Sequence, residues 1–109
     1  MIDITINRNH KGFIKSFTMS GHALFANHGK DIVCAGASAV SFGTINAVHA
    51  LTGIVPHIQQ DDGFLRCQMP DQLPSDIDDK IQVLLEGMVV SLQTIEEQYG
   101  EHIKITFKE

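Results

Sequence analysis

The feature that most constrains the fold is the segment from Asp31 to Leu51, where apolar residues recur every three or four positions. A second apolar face, which includes Ile32 and Phe42, runs beside this stripe, so the spacing predicts a largely buried α-helix. Gly53 is a natural end for this helix. The weakly polar run up to Ile45 is interrupted by glycine, serine and threonine. It falls short of the roughly 18 apolar residues that a membrane span needs, and we expect no membrane contact.

The remaining elements follow from alternation and turn residues. Alternating apolar and polar side chains predict strands over residues 2–6, 13–20 and 103–107. A hairpin is expected around Asp61-Asp62-Gly63, and helical spacing predicts a long amphipathic helix over residues 75–99. The order β-β-α-β-β-α-β favours an α+β fold, a single domain over residues 1–109 with two helices packed on a mostly antiparallel or mixed sheet.

Composition and charge limit the partners. The 109 residues are 43% hydrophobic and 19% charged, with a formal net charge of −5, as expected of a soluble globular protein. The chain has no basic stripe that would displace phosphate counterions, so we expect no nucleic-acid partner. The first residues lack the pattern of a secretory signal. We therefore expect a cytoplasmic protein, in which Cys34 and Cys67 are free thiols.

Cys34 is the first candidate for chemistry. It follows Asp31 by three positions and would lie in the first turn of the predicted helix, where the helix dipole favours the reactive thiolate. The backbone amides of Cys34 and Ala35 are candidates to bind the oxyanion of an acyl-transfer intermediate. From composition alone, the interpretation of Cys34 as a small buried core residue is favoured, because a free cysteine is usually part of the core.

His22 is the candidate base, because it follows Gly21 at the end of a predicted strand and begins a loop without periodicity. Asp31 could orient His22 or cap the helix, and we favour the cap. Ser38 lies one helical turn after Cys34, on the same face. The other histidines outside the loop show no grouping and are interpreted as structural: His10, His49, His57 and His102.

Zinc binding is an alternative for the same residues, because His22, His28 and Cys34 are all acceptable ligand types. No fourth ligand stands at a familiar spacing. The zinc signal is therefore weak, and the sequence contains no Gly-rich phosphate loop that would bind a nucleotide cofactor.

Two motifs carry a resemblance to a known family. Gly21-His22-Ala23, followed by the stretch from Gly29 to Val40 that contains Asp31-Ile32-Val33-Cys34-Ala35, resembles the signature of the bacterial ribosomal-processing cysteine protease family, Prp. The resemblance extends to the chain length and to the predicted order of elements, so it covers essentially the whole domain.

The resemblance implies a function. Members of this family remove a short N-terminal extension from large-subunit ribosomal protein twenty-seven; they are cytoplasmic, metal-free homodimers. By the matching motifs, Cys34 is the nucleophile and His22 the general base and acid. The supporting and substrate-binding positions implied in this way are Asp31, Ala35 and Ser38, together with the loop residues Gly21, Ala23, Leu24, Phe25, His28 and Gly29.

An apolar subsite is also implied, because the family's extension ends in aromatic residues before the cut. Leu24, Phe25 and Phe42 are available to line it. The loop from Gly21 to Gly29 would act as a lid with Gly21 as its hinge. The alternative function is a non-enzymatic ribosome-assembly or binding module, with Cys34 as a core residue and an acidic surface that holds a basic partner.

Overall fold

The computed structural model describes residues 1–109 and contains five strands and two long helices. Its element order confirms the predicted β-β-α-β-β-α-β arrangement. The elements are β1 (Ile2–Arg8), β2 (Ile14–Ser20), α1 (Ile32–Thr52), β3 (His57–Asp61), β4 (Phe64–Gln68), α2 (Ser75–Tyr99) and β5 (Ile103–Lys108).

The five strands form one mixed sheet in the order β3-β4-β2-β1-β5. Only the β1–β5 pair is parallel; the other three pairs are antiparallel. The period-2 alternation of β1 places Ile2, Ile4 and Ile6 on the buried face, and each is at most 3% exposed. In the register of the sheet, Ile4 lies beside Met19 on β2 and Ile105 on β5. The fold is the predicted α+β domain.

The helix α2 supplies one wall of the core. Its buried apolar stripe comprises Ile81, Leu85, Met88, Val89 and Leu92. The side-chain amide of Gln82 accepts from the backbone amide of Ile14 over 2.7 Å and donates to its carbonyl over 2.9 Å. This two-way bond ties α2 to the first residue of β2.

The helix α1 is less buried than its composition indicates. One face lies in the core and comprises Val33, Ala37, Ser41, Ile45 and Val48. In contrast, Ile32 is 58% and Leu51 69% exposed. The expectation of a largely buried helix is therefore wrong. The physical reason is that the fold has two layers, so the outer face of α1 meets no third layer.

The full length of α1 changes one observation on which the expectation of no membrane contact depends. Over its full 21 residues, α1 is long and apolar enough to cross a membrane, although the shorter run to Ile45 is not. A helix that packs in a protein core passes the same test. The face of α1 centred on Ala37 belongs to the core cluster shared with the sheet and α2.

Candidate active site

A cavity of about 760 Å³ lies between the start of α1, the loop after β2 and the β3–β4 turn. Most of the residues singled out from the sequence line it: Gly21, His22, Leu24, His28, Gly29, Asp31, Cys34, Ala35, Ser38 and Phe42. Two of the proposed loop residues, Ala23 and Phe25, are not part of its lining. The β3–β4 turn adds Asp61, Asp62 and Gly63.

Asp31 organises the entrance to α1. Its Oδ1 accepts from the backbone amides of Val33 and Cys34 over 3.0 and 3.1 Å, as an N-cap does. Its Oδ2 accepts from the amides of Phe25 and Ala26 over 2.9 and 3.2 Å. Asp31 therefore caps the helix and ties the loop to it, and its carboxylate makes no hydrogen bond to a histidine.

The charge state of Asp31 reflects two opposed effects. Burial acts to raise the pKa of this carboxyl, but the four backbone N–H donors outweigh burial and hold the pKa below its ordinary value. The Asp31 carboxyl group is therefore ionised near neutral pH.

The backbone amides proposed for the oxyanion are not free. The amide of Cys34 donates to Asp31 Oδ1 over 3.1 Å, and the amide of Ala35 donates to the Asp31 carbonyl over 3.0 Å. The expectation of two unpaired amides at these positions is therefore wrong, because the cap satisfies them. Ala35 contributes to the site by lining the cavity.

The sulfur of Cys34 has a different backbone partner. The amide of Ala23 donates to Sγ over 3.3 Å. Cys34 is partly exposed, whereas Cys67 on β4 is fully buried. Burial raises the pKa of the Cys67 thiol to about 12, so Cys67 is the inert core cysteine that its strand position predicts.

His22 reaches the cavity from the end of β2 and packs on the β3–β4 turn. A Cβ at Gly63 would lie 2.9 Å from His22 Nε2, so a side chain at position 63 would displace the ring. Nε2 lies 4.0 Å from Oδ1 of Asp62. The ring of His28 meets His22 edge to face at 5.9 Å. The carboxylate beside His22 is therefore Asp62 rather than Asp31.

The loop is anchored at a second place, outside the cavity. The carbonyl of Ala23 lies 2.9 Å from Nδ1 of His102. The Phe25 ring packs edge to face on Tyr99 at 5.4 Å and on His102 at 5.3 Å. Phe25 therefore belongs to an aromatic cluster at the end of α2 and does not line the cavity. Of the three residues expected in the apolar subsite, Leu24 and Phe42 line the cavity.

The zinc alternative depends on how closely the candidate ligands approach one another. No group of three histidine, cysteine, aspartate or glutamate side chains converges closely enough to hold an ion. The zinc alternative for His22, His28 and Cys34 thus has no geometric support.

Two residues of this region were not singled out from the sequence. The sequence places Asp62 in an Asp-Gly turn, which is a strong hairpin signal, and that hairpin is present. The position of Asp62 beside His22 depends on the order of strands in the sheet, which the turn does not determine. His102 was interpreted as structural. Nothing local marks it, because its contact with Ala23 joins residues 79 positions apart.

Comparison with known proteins identifies a family. The model of the family described as cysteine protease Prp matches residues 1–104. The ribosomal processing cysteine protease Prp of Bacillus subtilis is 47% identical over 108 residues, which cover 97% of this chain and 96% of that protein.

Two solved structures extend the similarity. Both are of an essential ribosomal processing protease Prp from S. aureus. The complex with a covalently linked product peptide superposes with a TM-score of 0.90 at 44% identity, and the complex with a substrate peptide with 0.85 at 43%. Each alignment covers 99% of this chain and 100% of the other.

Proposed function

This chain belongs to the Prp family of ribosomal-processing cysteine proteases, and from that premise we propose that it removes a short N-terminal extension from large-subunit ribosomal protein twenty-seven. The observation that carries the proposal is the setting of Cys34. Its sulfur lies in the first turn of α1, on a cavity that His22 also lines, and accepts a backbone hydrogen bond.

The proposed reaction proceeds through a thioester. His22 takes the thiol proton of Cys34, and the thiolate attacks the carbonyl carbon of the scissile bond. The C–N bond then breaks, and His22 returns the proton to the leaving amine of the shortened protein. A water molecule, deprotonated by His22, hydrolyses the thioester and releases the extension as a carboxylate.

The oxyanion needs a donor other than the helix amides that Asp31 occupies. We assign this role to the amide of Ala23. It lies 3.3 Å from Sγ, and the oxyanion is the oxygen atom attached to the carbon that bonds to that sulfur. The same N–H would thus serve the thiolate first and the tetrahedral intermediate afterwards.

Substrate recognition combines an apolar and an acidic surface. Leu24, which is 76% exposed, and Phe42 would receive the aromatic residues that precede the cut in this family's substrates. Asp61, at the end of β3, and Asp62, in the β3–β4 turn, line the same cavity. Together with the net charge of −5, they would attract a basic ribosomal protein and speed its association.

The assembly and location are part of the same proposal. We expect a cytoplasmic homodimer that needs no metal or other cofactor and binds no nucleic acid. Light scattering would then give twice the mass of the 12.0 kDa chain, and activity would survive dialysis against a chelator.

The test is cleavage of the purified substrate. The chain is incubated with ribosomal protein twenty-seven carrying its extension, and the new N-terminus is mapped by mass spectrometry. We expect a single cut at the junction, its loss in Cys34→Ala and His22→Ala, and its retention in the matched variant Cys67→Ala. A stable complex without any cut would favour the binding module instead.

A further inference from the structure

We propose that His102 is a positioning residue for the nucleophile: its Nδ1–H holds the carbonyl of Ala23, and the amide of the same alanine holds Sγ of Cys34. The inference rests on the proposed role of Cys34. It adds a residue from the opposite end of the chain, at the junction of α2 and β5, to the machinery that sets the reactivity of the thiol.

The contact with the Ala23 carbonyl shows that Nδ1 of the His102 ring carries a proton. Nδ1 of His102 lies 2.9 Å from the Ala23 carbonyl oxygen. A carbonyl oxygen only accepts, so Nδ1 carries the proton in this contact. Ala23 itself is 1% exposed, and water is therefore poorly placed to replace this donor.

The second contact connects Ala23, which His102 holds in place, to the sulfur of Cys34. The amide of Ala23 donates to Cys34 Sγ over 3.3 Å. A neutral thiol is a weak acceptor, so this bond alone holds the segment loosely, and it strengthens when the sulfur becomes an anion. An alanine already held through its carbonyl presents the amide to the thiolate without reorganisation.

His102 is itself held firmly by the fold. Its backbone amide donates to the Tyr99 carbonyl over 2.8 Å, and its carbonyl accepts from the amide of Ile2 over 2.9 Å. The residue therefore links the end of α2 to the start of β1, and its side chain is not part of the cavity lining. A residue so placed would affect turnover rather than substrate binding.

His102 makes two separable contacts, which permits a matched pair of variants. One is the hydrogen bond to Ala23, and the other is the edge-to-face packing on Phe25 at 5.3 Å. His102→Asn keeps an N–H donor at the distance of Nδ1 from the backbone but removes the ring. His102→Phe keeps a ring for Phe25 but removes the donor.

The experiment measures two rates on the full-length protein. The first is the rate constant for alkylation of Cys34 by iodoacetamide at fixed pH, read by mass spectrometry. The second is kcat and KM for cleavage of an extended substrate peptide. In His102→Phe we expect alkylation and kcat to fall by about fivefold to tenfold, as the loss of one hydrogen bond implies, with KM nearly unchanged. In His102→Asn and in the surface control His57→Asn we expect both to stay within about twofold.

Either of two results would overturn the proposal: wild-type alkylation and kcat in His102→Phe, or equal losses in the Asn and Phe variants with both folded by circular dichroism. A measurement without any variant adds a third check, because the ¹⁵N shift of His102 Nδ1 should report a protonated nitrogen near neutral pH, and a deprotonated Nδ1 contradicts the contact. The alkylation rates do not depend on cleavage. If the wild type cuts no extended peptide, the proposed function fails while the role of His102 is still decided.

Discussion

Nε2 of His22 lies 4.0 Å from Oδ1 of Asp62. The pair brings the end of β2 next to the β3–β4 turn beside the cavity. The distance is beyond hydrogen-bond range, so the interaction is electrostatic. The Asp62 side chain is 88% exposed, and water therefore weakens it. In the proposed mechanism, a carboxylate here would stabilise the positive charge that the His22 ring gains when it takes the Cys34 proton.

Neutralising this carboxylate should lower activity modestly. For Asp62→Asn we expect kcat/KM to fall by about twofold to fivefold at low salt, the scale of an exposed ion pair. The loss should shrink as salt screens the interaction. Asp61→Asn is the matched control, because it changes the net charge equally on the same turn. Equal kinetics of the two variants at low salt would exclude a specific role for Asp62.

The Asp31 carboxylate should make stability depend on pH in the acidic range. In Asp31→Asn, the side-chain oxygen can still accept from Val33 and Cys34, but its NH₂ group cannot accept from the amides of Phe25 and Ala26. We expect Tm to fall by roughly a few degrees at neutral pH, with the helix retained by circular dichroism.

The sign of the pH effect follows from the direction of the shift. The pKa of Asp31 in the folded protein is below its ordinary value of 3.8, so its contribution is complete above that value and is lost as pH falls through the lower folded pKa. Urea unfolding should therefore show a gap between wild type and Asp31→Asn that narrows below about pH 4. A gap that is independent of pH would mean that the charge of Asp31 is not what stabilises the loop.

The two glycines that bound the loop should respond differently to alanine. Both have positive φ, 90° at Gly21 and 85° at Gly29. A Cβ at Gly21 would lie 2.2 Å from the Met1 carbonyl oxygen, whereas nothing lies within 4 Å at Gly29. Gly29→Ala should thus cost about 1–2 kcal/mol of unfolding free energy, from backbone strain alone, and Gly21→Ala clearly more.

This contrast changes how a hinge at Gly21 can be examined. Lower activity in Gly21→Ala would reflect the collision with Met1 as much as restricted motion. Gly29→Ala is the cleaner variant for the loop. Equal unfolding free energies for the two variants, from denaturant titration, would contradict the described packing of Gly21 on the N-terminal residue.

The elements were predictable because their signals are local. The alternation of Ile2, Ile4 and Ile6 indicates a strand whatever it pairs with, and Asp31 caps a helix that begins at the next residue. Contacts between residues that are far apart in the sequence could not be predicted in this way. In the sequence, Phe25 is available to contact a substrate, but in the structure its ring packs on Tyr99 and His102.

The two cysteines should differ sharply in how fast they react with a thiol reagent. Cys34 opens on the cavity, while Cys67 is 0% exposed and has a pKa raised to about 12 by burial. Native protein treated with iodoacetamide should carry one label, on Cys34, and a second only after unfolding. Peptide mapping checks this assignment. Labelling of both at similar rates would show that the region around β4 opens readily.

In the proposed reaction, Cys34 forms a thioester with the extension. The most direct measurement is the intact mass of the enzyme in an acid-quenched reaction with extended ribosomal protein twenty-seven. We predict an adduct equal to the extension minus one water, located on the peptide that contains Cys34 and absent from Cys34→Ala. Cleavage at the wild-type rate by Cys34→Ala, with no adduct on the wild-type enzyme, would show that the reaction does not proceed through a Cys34 thioester.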